Sequence, residues 1–204
     1  HPLEGAPPRI RALGRAHTRF LLPDAQFRYE RLLEPPTEEE GFETIEERRF
    51  ERSGSGANER ALILDFDDLT GRTAPVLRPD EISIPREWIE TLTRHHDADW
   101  SLFVFAWRPQ IARGEIAQAD VDACFRALQD QLGVPVSASC CPHDAGPPVC
   151  WCRKPIPGRV IEFADRARVD LARSIVVSSS AADRTMAERI GARFESVEFL
   201  WDLP

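Results

Sequence analysis

The chain has 204 residues, enough for one domain with a sizeable core or for one domain plus an appendage. Hydrophobic residues at 42% and charged residues at 29% are ordinary for a globular protein, and the longest apolar runs, ALIL and SLFVFA, are too short to span a bilayer. The net charge of −8 argues against non-specific nucleic-acid binding, because an acidic surface repels a phosphate backbone. No segment reads as a signal peptide, so the expected location is cytoplasmic. The chain opens on His1 and its one methionine is Met186, which reads as a fragment of a longer protein.

In chain order, HPLEGAPPR (1–9) is Pro-rich and is expected to be mobile. The charge-rich segment 27–50 breaks at Pro35-Pro36 and shows a helix start at Thr37, a capping residue followed by acids. RSGSGANER (52–60) reads as a flexible linker. From there strands alternate with helices. ALILDF (61–66) is a buried strand ending in acid. PREWIETLTRHHDA (85–98) is a helix with Trp88, Ile89 and Leu92 on one face, and SLFVFA (101–106) is a second strand. AQADVDACFRALQDQLG (117–133) is a helix that buries Val121, Cys124, Phe125, Leu128 and Leu132 and stops at Gly133. VPVSAS (134–139) is a third strand, and PGRVIEFADRARV (157–169) a helix with Val160, Ile161, Phe163 and Ala164 as its apolar face. SIVVSS (174–179) is a fourth strand, AADRTMAERIG (181–191) a helix, and RFESVEFLW (193–201) a last short strand and turn. The alternation predicts an α/β fold: a Rossmann-like parallel sheet with helices on both faces and chemistry at the carboxyl ends of the strands. The expected organisation is an extension over 1–52, a linker over 53–60 and an α/β domain over 61–204.

Four of the five cysteines crowd into CCPHDAGPPVCWC (140–152). The pattern Cys141-x-His143, a six-residue gap, then Cys150-x-Cys152 suits a structural, tetrahedral zinc ion with its coordination sphere closed. A disulfide such as Cys141–Cys150, or reduced thiols in a loop, fits the same spacing. Cys124 and Cys140 read as core residues.

Asp65 and Asp67 close the first strand, and a spacing of two sets both side chains on one side of an extended backbone. One carboxylate can attack phosphorus while the other shuttles a proton. Solvated acids at a strand end are the plainer reading. Arg153 and Lys154, after the third strand, add positive charge suited to phosphate.

LILDFDD (62–68) resembles motif I of the haloacid dehalogenase (HAD) superfamily. CPH and CWCRKPIPG resemble the zinc loop and motif III of its heptose-bisphosphate and histidinol-phosphate phosphatases, and QIARGEIAQADV (110–121) resembles their segment after motif II. The resemblance spans about 61–195 and implies a HAD-like sheet with a zinc loop and an aspartyl-phosphate intermediate on Asp65. It makes Asp67 the general acid/base and Lys154 the group that steadies nucleophile and phosphate. It further implies Mg²⁺ held by Asp65, by the carbonyl of Asp67 and by a motif IV acid. RYERLLEPPTEEEGFETI (28–45) resembles the closing stretch of P-loop polynucleotide kinases, which implies an upstream kinase-like module and brings in nucleic-acid ends as a context.

Three positions depart from the pattern. Ala106 stands where motif II has a phosphate-binding hydroxyl, Asp68 where motif I has Gly, and Ser179 where motif IV has its metal-binding acid. Asp183 matches the second motif IV acid and is a further candidate metal ligand. Mg²⁺ binding is therefore expected to be weak or absent, and phosphatase activity impaired. An active phosphatase on a sugar phosphate or a nucleic-acid 3′ phosphate, and a non-catalytic zinc-stiffened binding or scaffold domain, both remain open. No membrane association is expected.

Overall fold

The computed structural model describes residues 11–12, 23–46, 57–71, 75–146 and 150–198. The Pro-rich stretch at 1–9, linker residues 53–56 and the chain beyond 198 lie outside them. Strands β1 (Arg60–Asp65), β2 (Trp100–Trp107), β3 (Ser137–Cys141), β4 (Ile175–Val177) and β5 (Arg193–Glu195) form one parallel sheet in the order β3-β2-β1-β4-β5. The helices are α1 (Pro23–Leu32), α2 (Phe66–Leu69), α3 (Arg86–Asp97), α4 (Gln118–Leu132), α5 (Gly158–Ala167) and α6 (Ala181–Ile190).

The run Ala61–Leu64 is apolar without interruption because β1 is covered on both faces. Leu62 and Leu64 belong to one core with Trp88 and Leu92 of α3 and Val121, Cys124 and Leu128 of α4. Ala61 and Ile63 point the other way, into a second core with Val160 and Phe163 of α5 and Met186 and Ile190 of α6. The chain steps from β1 through β2 to β3, then returns to the far side of β1 for β4 and β5. That reversal falls at the carboxyl ends of β1 and β4, the place where sheets of this kind bind ligands in a crevice.

Three expectations shift. The third strand runs 137–141 and not 134–139. Pro135 has no N–H to give to a ladder, so pairing with β2 begins at Phe103↔Ser137 and carries on to Trp107↔Cys141, which delivers Cys141 to the Cys/His loop. The fourth strand stops at Val177, leaving Ser178 and Ser179 in the turn above it. Thr37 starts only one 3₁₀ turn (Glu38–Glu40), in which the Glu40 carboxylate accepts from the Thr37 N–H at 3.0 Å and Gly41, at φ +88°, ends the turn. Tyr29, Leu32, Leu33, Phe42 and Ile45 of this segment are exposed, and an ion pair at 3.7 Å joins Glu30 to Arg189 of the body.

Candidate active site

Asp65 is the last residue of β1 and the N-cap of α2. Its Oδ1 accepts from the N–H groups of Asp67 (2.8 Å) and Asp68 (3.1 Å), which fixes the carboxylate at the sheet edge. Its Oδ2 meets Lys154 Nζ. The same ammonium donates to Asp183 Oδ2 at 2.6 Å. Lys154 is the chain's one lysine among 26 Lys and Arg residues, and it is nearly buried. Burial pulls its pKa down, but the charges of Asp65 and Asp183 outweigh that and hold it above the ordinary lysine value. Burial, helped by the charge of Asp65, holds the Asp183 carboxyl above the ordinary value despite the nearby Lys154 ammonium.

The polar path continues across the crevice. Ser178 Oγ lies 2.6 Å from Asp183 Oδ2 and 2.8 Å from Asp68 Oδ2. Asp68 also accepts from the Ser179 N–H at 2.7 Å and the Ser179 hydroxyl at 2.6 Å. Asp65, Lys154, Asp183, Ser178, Asp68 and Ser179 thus form one connected set, three carboxylates to one ammonium. Asp67 points elsewhere. Both of its oxygens take hydrogen bonds from Arg108, at 2.7 and 3.0 Å, and Arg108 is only 1% exposed.

Arg153 and Ala106, the two expected phosphate contacts, have the following surroundings. Arg153 donates to the Asp144 carbonyl at 2.8 Å and lies over the Trp107 ring, so its guanidinium packs on the Cys/His loop. The methyl of Ala106 is buried in the α3–α4 core, where it offers no donor. Asp183, a candidate metal ligand, has its Oδ2 taken up by Lys154 and Ser178. The Asp67 carbonyl, another candidate, accepts from Thr70 Oγ1 at 3.1 Å.

The ligand atoms of Cys141, His143, Cys150 and Cys152 all lie within 4.8 Å of one another, the one such group of three or more among the described residues. Their separations are 3.3 Å for Cys141–Cys152, 3.6 Å for Cys141–Cys150 and 3.1 Å for His143 Nδ1–Cys152. A tetrahedron with metal–sulfur bonds of about 2.3 Å has edges of about 3.7 Å, so the donor set fits a metal after small outward shifts. All five cysteines are free, and the four loop donors face one another without a disulfide. Hydrogen bonds from Cys141 and Cys152 favour the Cys150 thiolate and push its pKa down, while the same crowding pushes Cys141 up. A bound cation lets all three ionise together. The loop also places Lys154, two residues beyond Cys152.

Sequence reasoning missed Arg108 and Ser178. A charged residue one position past the apolar strand β2, beside the Asp-x-Asp strand, was the available signal for Arg108. Nothing local marks Ser178, whose partners lie at positions 68 and 183.

No family model matches the chain. It is 34% identical over 141 residues to the D-glycero-beta-D-manno-heptose-1,7-bisphosphate 7-phosphatase of Bordetella bronchiseptica, across 65% of this chain and 76% of that protein. Its fold is similar to the crystal structure of the D,D-heptose 1,7-bisphosphate phosphatase from B. bronchiseptica complexed with magnesium and phosphate. There the TM-score is 0.60 at 30% identity, over 66% of this chain and 78% of that one. It is also similar to a putative HAD-like phosphatase from Mesorhizobium loti, with a TM-score of 0.60 at 26% identity over 71% and 74% of the two chains.

Proposed function

The chain belongs to the heptose-bisphosphate phosphatase family of the HAD superfamily, and from that premise we propose that it is a slow phosphomonoesterase acting on sugar phosphates. The observation that supports this reading is the contact of Asp65 with Lys154, itself held by Asp183. In this reading Asp65 Oδ2 attacks phosphorus and the ester P–O bond breaks. The leaving oxygen takes a proton from Asp67. Water, giving its proton back to Asp67, then attacks the phosphorus of the aspartyl phosphate, releasing inorganic phosphate and restoring Asp65. Lys154 offsets the charge on the phosphoryl oxygens. Mg²⁺, when bound beside Asp65, supplies further positive charge. Zinc in the Cys/His loop stiffens the segment that carries Lys154.

Two features keep the rate low. Position 106 contributes no hydroxyl to the phosphate, and Asp67 must leave Arg108 to reach a leaving oxygen. Losing one such donor costs ~10²–10³-fold in rate. The test is a phosphatase assay with Mg²⁺ over sugar phosphates and an oligonucleotide 3′ phosphate. The expected turnover is ~10⁻²–1 s⁻¹ on a sugar phosphate, below the ~1–10³ s⁻¹ usual for enzymes, and is abolished in Asp65→Asn. No turnover above the Asp65→Asn background on any substrate makes the domain a non-catalytic module. Turnover in the usual range removes the attenuation.

A further inference from the structure

We infer that Asp68 is the second carboxylate of the divalent-cation site at Asp65, seated on the β4 turn by Ser179. This deepens the proposed function and rests on that reading of the site. Ser179 stands where an acid was expected, and the missing charge is present in the crevice all the same, delivered from the opposite turn. The Asp68 carboxylate crosses from the β1 turn to the β4 turn and takes two hydrogen bonds there, from Ser179 N–H (2.7 Å) and Ser179 Oγ (2.6 Å), with Ser178 Oγ, whose one proton is shared with Asp183, 2.8 Å away. Every one of these donors is neutral. The one ammonium in the set, Lys154, lies with Asp65 and Asp183, and the guanidinium of Arg108 is occupied with Asp67. The set Asp65, Asp68, Asp183 and Lys154 therefore carries two negative charges in excess. A hard divalent cation that keeps several of its waters and takes one or two carboxylates matches that excess.

The neighbouring geometry assigns the roles. Asp183 Oδ2 is buried against Lys154 and Ser178, which leaves Asp65 and Asp68 as the carboxylates nearer solvent. They are adjacent through the backbone, since Asp65 Oδ1 accepts from the Asp68 N–H. The Asp68 and Ser179 side chains thus act as one unit: the serine turn orients the acid and the acid supplies the charge.

The test is titration calorimetry of Mg²⁺ into the full chain with its Cys/His loop metal in place, and electron paramagnetic resonance of bound Mn²⁺. Asp68→Asn keeps the shape and loses the charge, and is expected to weaken Mg²⁺ binding at least tenfold. Asp65→Asn should weaken it as much. The paired variant Asp68→Gly with Ser179→Asp returns an acid from the other turn and is expected to bind within about threefold of the natural chain. Circular dichroism confirms that each variant is folded. Unchanged affinity in Asp68→Asn, with affinity lost in Asp65→Asn, overturns the inference and leaves the phosphatase reading standing. A paired variant that is folded but as weak as Asp68→Asn also overturns it. No Mg²⁺ or Mn²⁺ binding by the natural chain overturns both readings. Metal binding without turnover on any phosphomonoester overturns the phosphatase alone.

Discussion

Arg108 holds Asp67 by both carboxylate oxygens, at 2.7 and 3.0 Å, from a position that is 1% exposed and 5.1 Å from the Phe66 ring centre. A guanidinium this deep is tolerated because its donors are used: Nη1 also bonds the Trp107 carbonyl at 2.9 Å. Removing one member of a buried ion pair costs ~3–5 kcal/mol. The Asp67 side chain is 31% exposed, so its stranded charge regains some hydration. We expect Arg108→Met to lower stability by roughly 2–4 kcal/mol, read as a fall in the urea midpoint at unchanged slope. A change under ~1 kcal/mol would show that the pair is not structural.

The second prediction concerns the lone lysine. Its folded pKa is raised, so the stability drawn from its charge is complete below the ordinary lysine value of 10.5 and is lost as pH rises through the folded value. Its ammonium should accordingly resist amine chemistry. Reductive methylation of the native protein at neutral pH, followed by peptide mass spectrometry, should modify the chain's amino terminus and spare Lys154. The Asp183→Asn variant should lose part of that protection. Equal labelling of Lys154 in native and unfolded protein would falsify the buried ion-pair account.

Metal removal is the third prediction. Purified protein should carry about one equivalent of zinc in the loop of Cys141, His143, Cys150 and Cys152, since a closed set of three thiolates and an imidazole favours that ion. Chelation should lower the melting temperature and also reduce turnover, because the same loop delivers Lys154 to Asp65. Loss of stability with Lys154 still protected from methylation would separate the loop from the site.

The fourth prediction concerns Gly158, the first residue of α5. A Cβ there would stand 2.0 Å from the Trp151 carbonyl oxygen, a backbone atom inside the Cys/His loop. The Gly158 N–H also donates to that carbonyl at 3.0 Å, so the two segments cannot separate without losing a bond. Gly158→Ala should cost ~1–3 kcal/mol, as overpacking does, whereas helix propensity alone favours Ala. Denaturant unfolding gives the sign directly.

The fifth prediction addresses the N-terminal extension, whose relation to a kinase-like module rests on the sequence resemblance. Tyr29, Leu32, Leu33, Phe42 and Ile45 in it are exposed, and an exposed ion pair such as Glu30–Arg189 is worth ~0–1 kcal/mol. A chain beginning at Ala57 keeps the hydrogen bonds of Asn58 and Glu59 to the 168–173 segment. It should melt within roughly 2–4 °C of the full chain, the shift that ~1 kcal/mol makes in a domain of this size. A larger drop would make the extension part of the folded body.

The sequence by itself determined the layers of this protein. Apolar runs such as Ala61–Leu64 and the helical spacing of Val121, Cys124 and Leu128 follow from burial, which acts on each segment through its own period. Residue type marked Asp65, Lys154 and the Cys/His loop, because few side chains can attack phosphorus, bind its oxygens or hold a soft cation. Where Lys154 would point, and whether the four Cys/His loop donors meet, required the fold. Tertiary structure alone decided that Arg108 clamps Asp67, that Arg153 turns to the Cys/His loop, and that Asp68 reaches Ser179 across 111 residues of chain. Those pairings join the ends of different strands. Their existence depends on which strands lie side by side and on where each stops, as Pro135 set back the start of β3 and the early end of β4 freed Ser178 and Ser179. A local pattern fixes a side chain's face, but a polar contact at hydrogen-bond range is set by the relative placement of two turns, and that placement is a property of the whole sheet.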